Sequence, residues 1–202
     1  MTILDGYNSV CATQLVIDGT GRKLGQTWKN TVDANPYTLT YASMKLQRYL
    51  TPLGNYRYVI YLRDAGGQPT GSALDWSAWY AVSGISTLRP TSYTKPLTQS
   101  YIIDAALWYV EVLETDGWSN STNYIASCID TIGSHAGTAM KYITYWDVYA
   151  TVDMTFSIQG TLYVPPSLGG CPSSGAMSLI LASLGMYQRR KRRKRLVVVS
   201  LG

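Results

Sequence analysis

The stretch YTLTYASMKLQRYLTPLGNYRYVIYLR, residues 37–63, contains two alternating runs separated by a turn. In Tyr56–Arg63 every second residue is apolar from the first position onward, which predicts a strand with one buried face. Tyr37–Arg48 predicts a longer strand, with the odd-numbered residues from Leu39 to Lys45 on one side. The intervening TPLGN contains the proline and glycine of a typical turn, so this stretch predicts two neighbouring antiparallel strands.

Similar short runs with frequent turn residues recur along most of the chain, whereas no long amphipathic helix is predicted. Only Ser72–Val82 has helical or mixed character. This pattern predicts an all-β protein, an antiparallel two-sheet sandwich or barrel, over residues 1–164. The other predicted strands are Thr13–Asp18, Gly25–Asn30, Tyr101–Glu114, Asn123–Ile129, Met140–Thr151 and Asp153–Val164.

The C-terminal part of the chain differs from the rest. Pro165-Pro166-Ser167 ends the strand pattern, and we expect a linker, a short apolar helix and a basic tail over 165–202. Seven of the 17 Lys and Arg residues lie in Arg189–Arg195, which leaves 10 against 12 Asp and Glu in the remainder. The sequence therefore predicts a slightly acidic body with one basic patch, whose role is membrane anchoring, nucleic-acid binding or nuclear import.

The composition points to an extracellular protein. There are 17 Tyr and 6 Trp but only one Phe, and charged residues are 14% of the chain. Of the three cysteines, Cys11 and Cys128 either form a disulfide or are two buried free thiols, and Cys171 lies in a Gly- and Pro-rich segment. Met1–Gly25 lacks the basic start and apolar run of a secretory signal, which counts against export by that route.

Several motifs, taken in order, resemble a known family. They are Gly25-Gln26-Thr27-Trp28, Leu46-x-Arg48, Pro52-x-Gly54, Gly67-Gln68-Pro69-Thr70-Gly71-x-x-Leu74, Trp108-Tyr109-Val110 and Asp153-Met154-Thr155-Phe156. Over about residues 20 to 162 the chain resembles the jelly-roll accessory modules of secreted bacterial, archaeal and phage surface proteins. The resemblance implies a jelly-roll β-sandwich used for display or binding rather than catalysis.

The tail resembles the C-terminal sorting signals that exosortase- or rhombosortase-type enzymes process. Those signals have a short motif, an apolar helix and an arginine cluster. In this chain Ala176–Tyr187 would be the apolar helix. The resemblance implies a membrane tether with the basic end in the cytoplasm. The anchor and sorting residues would be Gly169, Gly170, Cys171, Arg189, Arg190, Lys191, Arg192, Arg193, Lys194 and Arg195.

Aromatic side chains near predicted loops are the candidate ligand-binding residues, because Tyr and Trp combine a flat apolar face with a polar handle. Such faces stack on the C–H faces of sugar rings, although a sandwich core also uses large aromatic residues. The candidates are Trp76, Trp79, Trp118, Tyr145 and Trp146.

Catalytic and metal sites have weaker support. His135, the only histidine, is expected in an exposed turn. Glu111 and Glu114 are three apart on a predicted strand and so point to opposite faces, which does not suit a glycosidase pair. Turn aspartates offer oxygen ligands for Ca²⁺, but no calcium-binding loop motif is present, so no cofactor is expected; these are Asp64, Asp116 and Asp130.

The sequence thus favours a non-catalytic cell-surface or extracellular module. It would bind a glycan or a surface protein, or serve as a structural unit, and its tail would tether it to a membrane. The alternative is a viral structural subunit, of a capsid or appendage, whose basic arm at Arg189–Arg195 contacts nucleic acid. An enzyme is not expected.

Overall fold

The computed structural model describes residues 1–8, 11, 13–117, 119–131 and 135–165. Met1–Tyr163 packs as one unit of mostly short strands, and the described residues also include a 3₁₀ turn at Val82–Gly84. The strands are β1 (Thr2–Tyr7), β2 (Thr13–Ile17), β3 (Lys23–Lys29), β4 (Tyr37–Tyr49), β5 (Asn55–Arg63), β6 (Pro69–Trp76), β7 (Tyr80–Ala81), β8 (Thr91–Pro96), β9 (Ile102–Ile103), β10 (Trp108–Thr115), β11 (Tyr124–Asp130), β12 (Ala139–Tyr142), β13 (Trp146–Tyr149), β14 (Asp153–Met154) and β15 (Phe156–Leu162).

The strands form two antiparallel sheets, as the predicted all-β sandwich requires. The first sheet has the order β1-β15-β4-β11-β14, with β2 paired to β11 and with β8 and β9 paired to β4. The second sheet has the order β13-β12-β3-β10-β5-β6, with β7 paired to β5. In the second sheet the two central strands, β3 and β10, are paired over six successive residues.

Alternation explains which side chains enter the core between the sheets. On β5 the predicted apolar side is buried, with Tyr56, Tyr58 and Ile60 at most 1% exposed. Trp28 on β3 stacks on Tyr109 of β10 with ring centroids 4.9 Å apart. Each fully buried large apolar side chain contributes about 1.5–3 kcal/mol relative to an exposed one, so this core is the main source of stability.

The face assignment predicted for β4 is wrong at its start. Leu39 is buried together with Ala42 and Met44, although strict alternation would place Leu39 on the opposite face. The reason is a bulge, where the pairing with β15 changes register next to Gly160 and inserts one extra residue on β4. A bulge reverses the alternation, so apolar residues on both sides of it reach the same core.

A disulfide between Cys11 and Cys128 joins the segment before β2 to β11, with an S–S distance of 2.05 Å. The sequence leaves two alternatives for Cys11 and Cys128, a disulfide or two buried free thiols, and the structure has the disulfide. The bond spans 117 residues, so the chain-entropy model assigns it about 5 kcal/mol of stabilisation.

Two further predictions concern Ser72–Val82 and the C-terminal tail. The helical or mixed character predicted for Ser72–Val82 is wrong for most of that segment, because β6 and β7 pair with β5 there. The predicted linker, C-terminal helix and basic tail lie, apart from Pro165, outside the described residues. Within the described part of the chain, no helix has the length and apolar character needed to cross a membrane.

Candidate functional site

The outer face of the seven-stranded sheet, which points away from the core, collects most of the candidate aromatic residues. We call it the aromatic face and define it by Tyr61, Trp76, Trp79, Trp108, Tyr142 and Trp146. All six are partly or largely exposed, in contrast to the fully buried Trp28 and Tyr109 on the inner side.

Strand register explains how residues distant in sequence meet on this face. Trp146 on β13 lies opposite Tyr142 on β12, and their rings are 5.3 Å apart. Tyr142 in turn lies opposite Lys23 on β3, the next strand of the sheet. At the other edge Trp76 on β6 lies opposite Val59 of β5. Residues directly opposite each other in antiparallel strands share a face, so all of them project outward.

An apolar cluster supports the aromatic residues from below. Val110, Val112 and Met140 are fully buried under Tyr61, Trp146 and Val148 on the outer side of the sheet. Gly25 provides the space for this cluster, because a Cβ there would lie only 2.9 Å from Cγ of Met140. Tyr61 and Trp146 therefore pack against buried apolar side chains rather than projecting freely into solvent.

Glu114 organises the polar part of the face. Its carboxylate accepts hydrogen bonds from Lys23 Nζ at 2.6 Å, from Arg57 Nη2 at 2.8 Å and from the Tyr61 hydroxyl at 3.3 Å. Burial alone would raise the pKa of Glu114, but Lys23 and Arg57 outweigh burial and hold the pKa below its usual value. Glu114 is therefore a fixed anion that orients three neighbouring side chains.

Trp79 joins this network through a cation–π contact. The guanidinium carbon of Arg57 lies 4.5 Å from the centroid of the Trp79 ring. Because Arg57 is held by Glu114, the indole is held next to the face while remaining 42% exposed. An oriented and accessible aromatic ring of this kind is suited to stacking on a ligand.

The structure brings three of the five predicted binding residues, Trp76, Trp79 and Trp146, to one face. Tyr145 lies in the turn before β13 and is 65% exposed, next to that face. Trp118 lies outside the described residues, as do all the predicted anchor residues. Sequence reasoning missed Tyr61, Trp108 and Tyr142, although their position parity within the strands is the signal that could have found them.

His135 is not in an exposed turn, so that expectation is wrong. Its side chain is 9% exposed, and Nε2 lies 3.0 Å from Asp5 Oδ1 while Nδ1 lies 3.6 Å from Asp153 Oδ1. Burial alone would lower the pKa of His135, and the Gly137 N–H bound to Nδ1 also favours the neutral ring. The carboxylates of Asp5 and Asp153 outweigh the effect of burial and raise the pKa of His135 above its usual value.

This buried cluster connects strands that are distant in sequence. Asp5 also accepts the backbone N–H groups of Gly6 and Lys29, each at 2.9 Å. Among the described residues, the hydrogen-bonding and ion-pair partners of the His135 ring are the carboxylates of Asp5 and Asp153 and the backbone amide of Gly137.

Glu111 and Glu114 point to opposite faces, as the sequence predicts. Glu111 is completely buried in the core, and among the described residues neither of its carboxylate oxygens has a hydrogen-bond partner of good geometry. Burial raises the pKa of Glu111 well above its usual value, and the nearby Ser43 backbone offsets only part of this effect. The two acids therefore lie on opposite sides of the sheet and in different electrostatic environments.

Each of the three aspartates considered for calcium accepts a hydrogen bond from a different residue of the protein. Asp64 accepts the Gln68 N–H at 2.8 Å, Asp116 accepts the Asn55 N–H at 2.6 Å, and Asp130 accepts the Tyr7 hydroxyl at 2.7 Å. Across the described ranges, no three His, Cys, Asp or Glu side chains are grouped so that they could hold a metal ion.

A scan against protein-family models and a search of curated protein sequences found no match to this chain.

Proposed function

We propose that this protein is a non-catalytic β-sandwich module that binds a carbohydrate on its aromatic face. The observation that carries the proposal is the arrangement of Trp76, Trp79 and Trp146, which come from separate segments, on one exposed face. Tyr61 and Tyr142 extend the same surface. A scaffold without a ligand has no need to hold so many accessible aromatic rings in fixed orientations.

The chemistry of the face suits a sugar. Aromatic rings offer flat apolar surfaces to the C–H faces of pyranose rings, and Glu114, Arg57 and Lys23 provide oriented donors and acceptors for hydroxyl groups. Recognition sites typically combine a mainly apolar surface with a few well-placed polar groups. The firm packing beneath the face supports a preformed site.

Several features support an extracellular location. The Cys11–Cys128 disulfide is stable in an oxidising compartment, and the low charge content agrees with it. We propose a jelly-roll arrangement of the sandwich on the basis of the sequence resemblance. The tail, with its apolar segment and Arg189–Arg195, is proposed to tether or sort the module at a membrane.

A glycan array screened with the full chain tests the proposal. The parent should bind a defined group of glycans, and Trp146→Ala or Trp79→Ala should weaken binding by about 30-fold, the loss of an interface residue worth about 2 kcal/mol. Tyr41→Ala, which removes a partly exposed aromatic ring from the other sheet, is the matched control and should bind like the parent. No bound glycan with the folded parent would contradict the proposal.

A further inference from the structure

At one end of the aromatic face lie two cations, Lys29 and Arg63, that form no ion pair within the described residues. Trp108, the first residue of β10, lies opposite Lys29 of β3. On its other side the pairing of Tyr109 with Leu62 places Arg63 of β5 next to Trp108. The three side chains therefore form a row across the outer face, with the two cations on strands about 10 Å apart.

Arg63 is held over the indole but has no anionic partner. Its guanidinium carbon lies 4.9 Å from the centroid of the Trp108 ring. Its Nε is buried and, within the part of the chain described, has no hydrogen-bond partner. Gly67 lies against the guanidinium, since a Cβ there would be 3.6 Å from Nη2. Arg63 is thus held over Trp108 by contacts that leave its Nε without a hydrogen-bond partner among the described residues.

The other cations of the face provide the contrast. Lys23 and Arg57 both form ion pairs with Glu114, whereas the ion pairs of the described residues include neither Lys29 nor Arg63. Two acids, Asp33 and Asp104, lie beside Lys29, and Asp64 follows Arg63 in the chain; each accepts a nearby backbone amide, and none of them forms an ion pair with Lys29 or Arg63. Lys29 and Arg63, on either side of Trp108, are therefore cations of this face without an ion pair among the described residues.

We infer that the aromatic face binds an acidic polysaccharide, with an anionic group of the sugar on Arg63 and the sugar ring beside Trp108. A stacked guanidinium is weakly hydrated and presents a planar fork that matches a carboxylate or a sulfate. Lys29 adds a second positive charge on the other side of the indole. This inference rests on the proposed carbohydrate-binding function and adds the charge of the ligand to it.

The test compares three oligosaccharides of equal length binding to the full chain at physiological ionic strength. They are an oligogalacturonide, its neutral methyl ester and a sulfated oligosaccharide, which separate carboxylate, neutral and sulfate ligands. Arg63→Gln should weaken binding of an acidic oligosaccharide by roughly tenfold or more, as expected for one charge-assisted hydrogen bond, and leave neutral binding unchanged. Arg63→Lys, which keeps the charge but not the fork, should recover only part of the loss.

Arg89→Gln is the matched control, since it removes an exposed arginine that is not part of the aromatic face and keeps the basic tail intact. Equal losses for Arg63→Gln and Arg89→Gln would show a general charge effect and overturn the inference. Preference for neutral sugars, still dependent on Trp146, would overturn the inference but leave the proposed function standing. Absence of binding to glycans of either class would overturn both.

Discussion

Nε2 of His135 lies 3.0 Å from Oδ1 of Asp5, a contact between residues 130 positions apart in the chain. The same histidine donates its backbone N–H to Asp153 at 3.1 Å. Asp153 in turn accepts the side-chain amide of Gln26 on β3 at 3.3 Å. This buried cluster thus connects the first strand, the centre of the second sheet and the segment before the last strand.

The His135 cluster predicts a pH-dependent stability. Because the pKa of His135 is raised above 6.5 in the folded protein, its stabilising contribution is complete below about pH 6.5 and is lost as the pH rises through the folded value. His135→Gln should cost about 3 kcal/mol at pH 6, as expected for breaking a buried pair, and less at pH 9. Urea unfolding at both pH values checks this, and an equal cost at the two pH values would contradict it.

Glu111 predicts a stabilising substitution. Its raised pKa means that folding must protonate it, so its contribution to stability falls as the pH rises above about 4.5. Glu111→Met, an apolar replacement of similar size, should raise the free energy of unfolding at pH 8 by about 1–3 kcal/mol. Glu111→Gln is the control that removes the titration but keeps a buried polar group. Denaturant unfolding at pH 5 and pH 8 measures both, and a destabilised Glu111→Met variant would count against an unpartnered carboxyl.

The disulfide gives a third prediction. Cys11→Ala should reduce the free energy of unfolding by about 2–5 kcal/mol, since it releases a long closed loop. Peptide mapping without reductant should recover a peptide containing Cys11 linked to one containing Cys128. Recovery of both cysteines as free thiols from oxidised protein would contradict the prediction. Cys171→Ala is the matched control and should leave the stability unchanged.

The tail gives a fourth prediction. If Arg189–Arg195 and the apolar segment before it anchor the protein, the full chain should fractionate with membranes and a chain lacking residues 168–202 should be released. Equal solubility of the two chains would contradict anchoring. A steep salt dependence of DNA retention, lost on removal of Arg189–Arg195, would instead favour the viral subunit.

Much of the sandwich could be predicted because alternation is a local property. The buried side of β5 and the start of β2 at Thr13 follow directly from residue type, whereas β2 ends at Ile17, one residue before the predicted Asp18. The bulge in β4 could not, because it depends on how β15 pairs with that strand. The strand β1 was missed because TILDGY contains an aspartate and a glycine, and the buried Asp5 is satisfied by partners far away in sequence, His135 and the Lys29 N–H.

The site was predictable in residue type but not in arrangement. Aromatic residues were recognised as candidates, yet their common face depends on strand order, which brings β13, β12, β3, β10 and β5 together. Parity places Tyr61 opposite the buried side of its strand and Trp108 within a strand, but it does not show that the two side chains share a face with aromatic residues of other strands. The buried role of His135 depends on partners far away in sequence, so a single histidine among glycines looked like an exposed turn.

Hydroxyl-radical footprinting with a glycan identified on the array tests the central claim most directly, since it reports which aromatic side chains the ligand covers. We predict that bound glycan protects Trp76, Trp79 and Trp146 from oxidation, while Tyr41 on the other sheet reacts as in the free protein. Unchanged oxidation of the three tryptophans under saturating glycan would contradict the assignment of the aromatic face as the binding site.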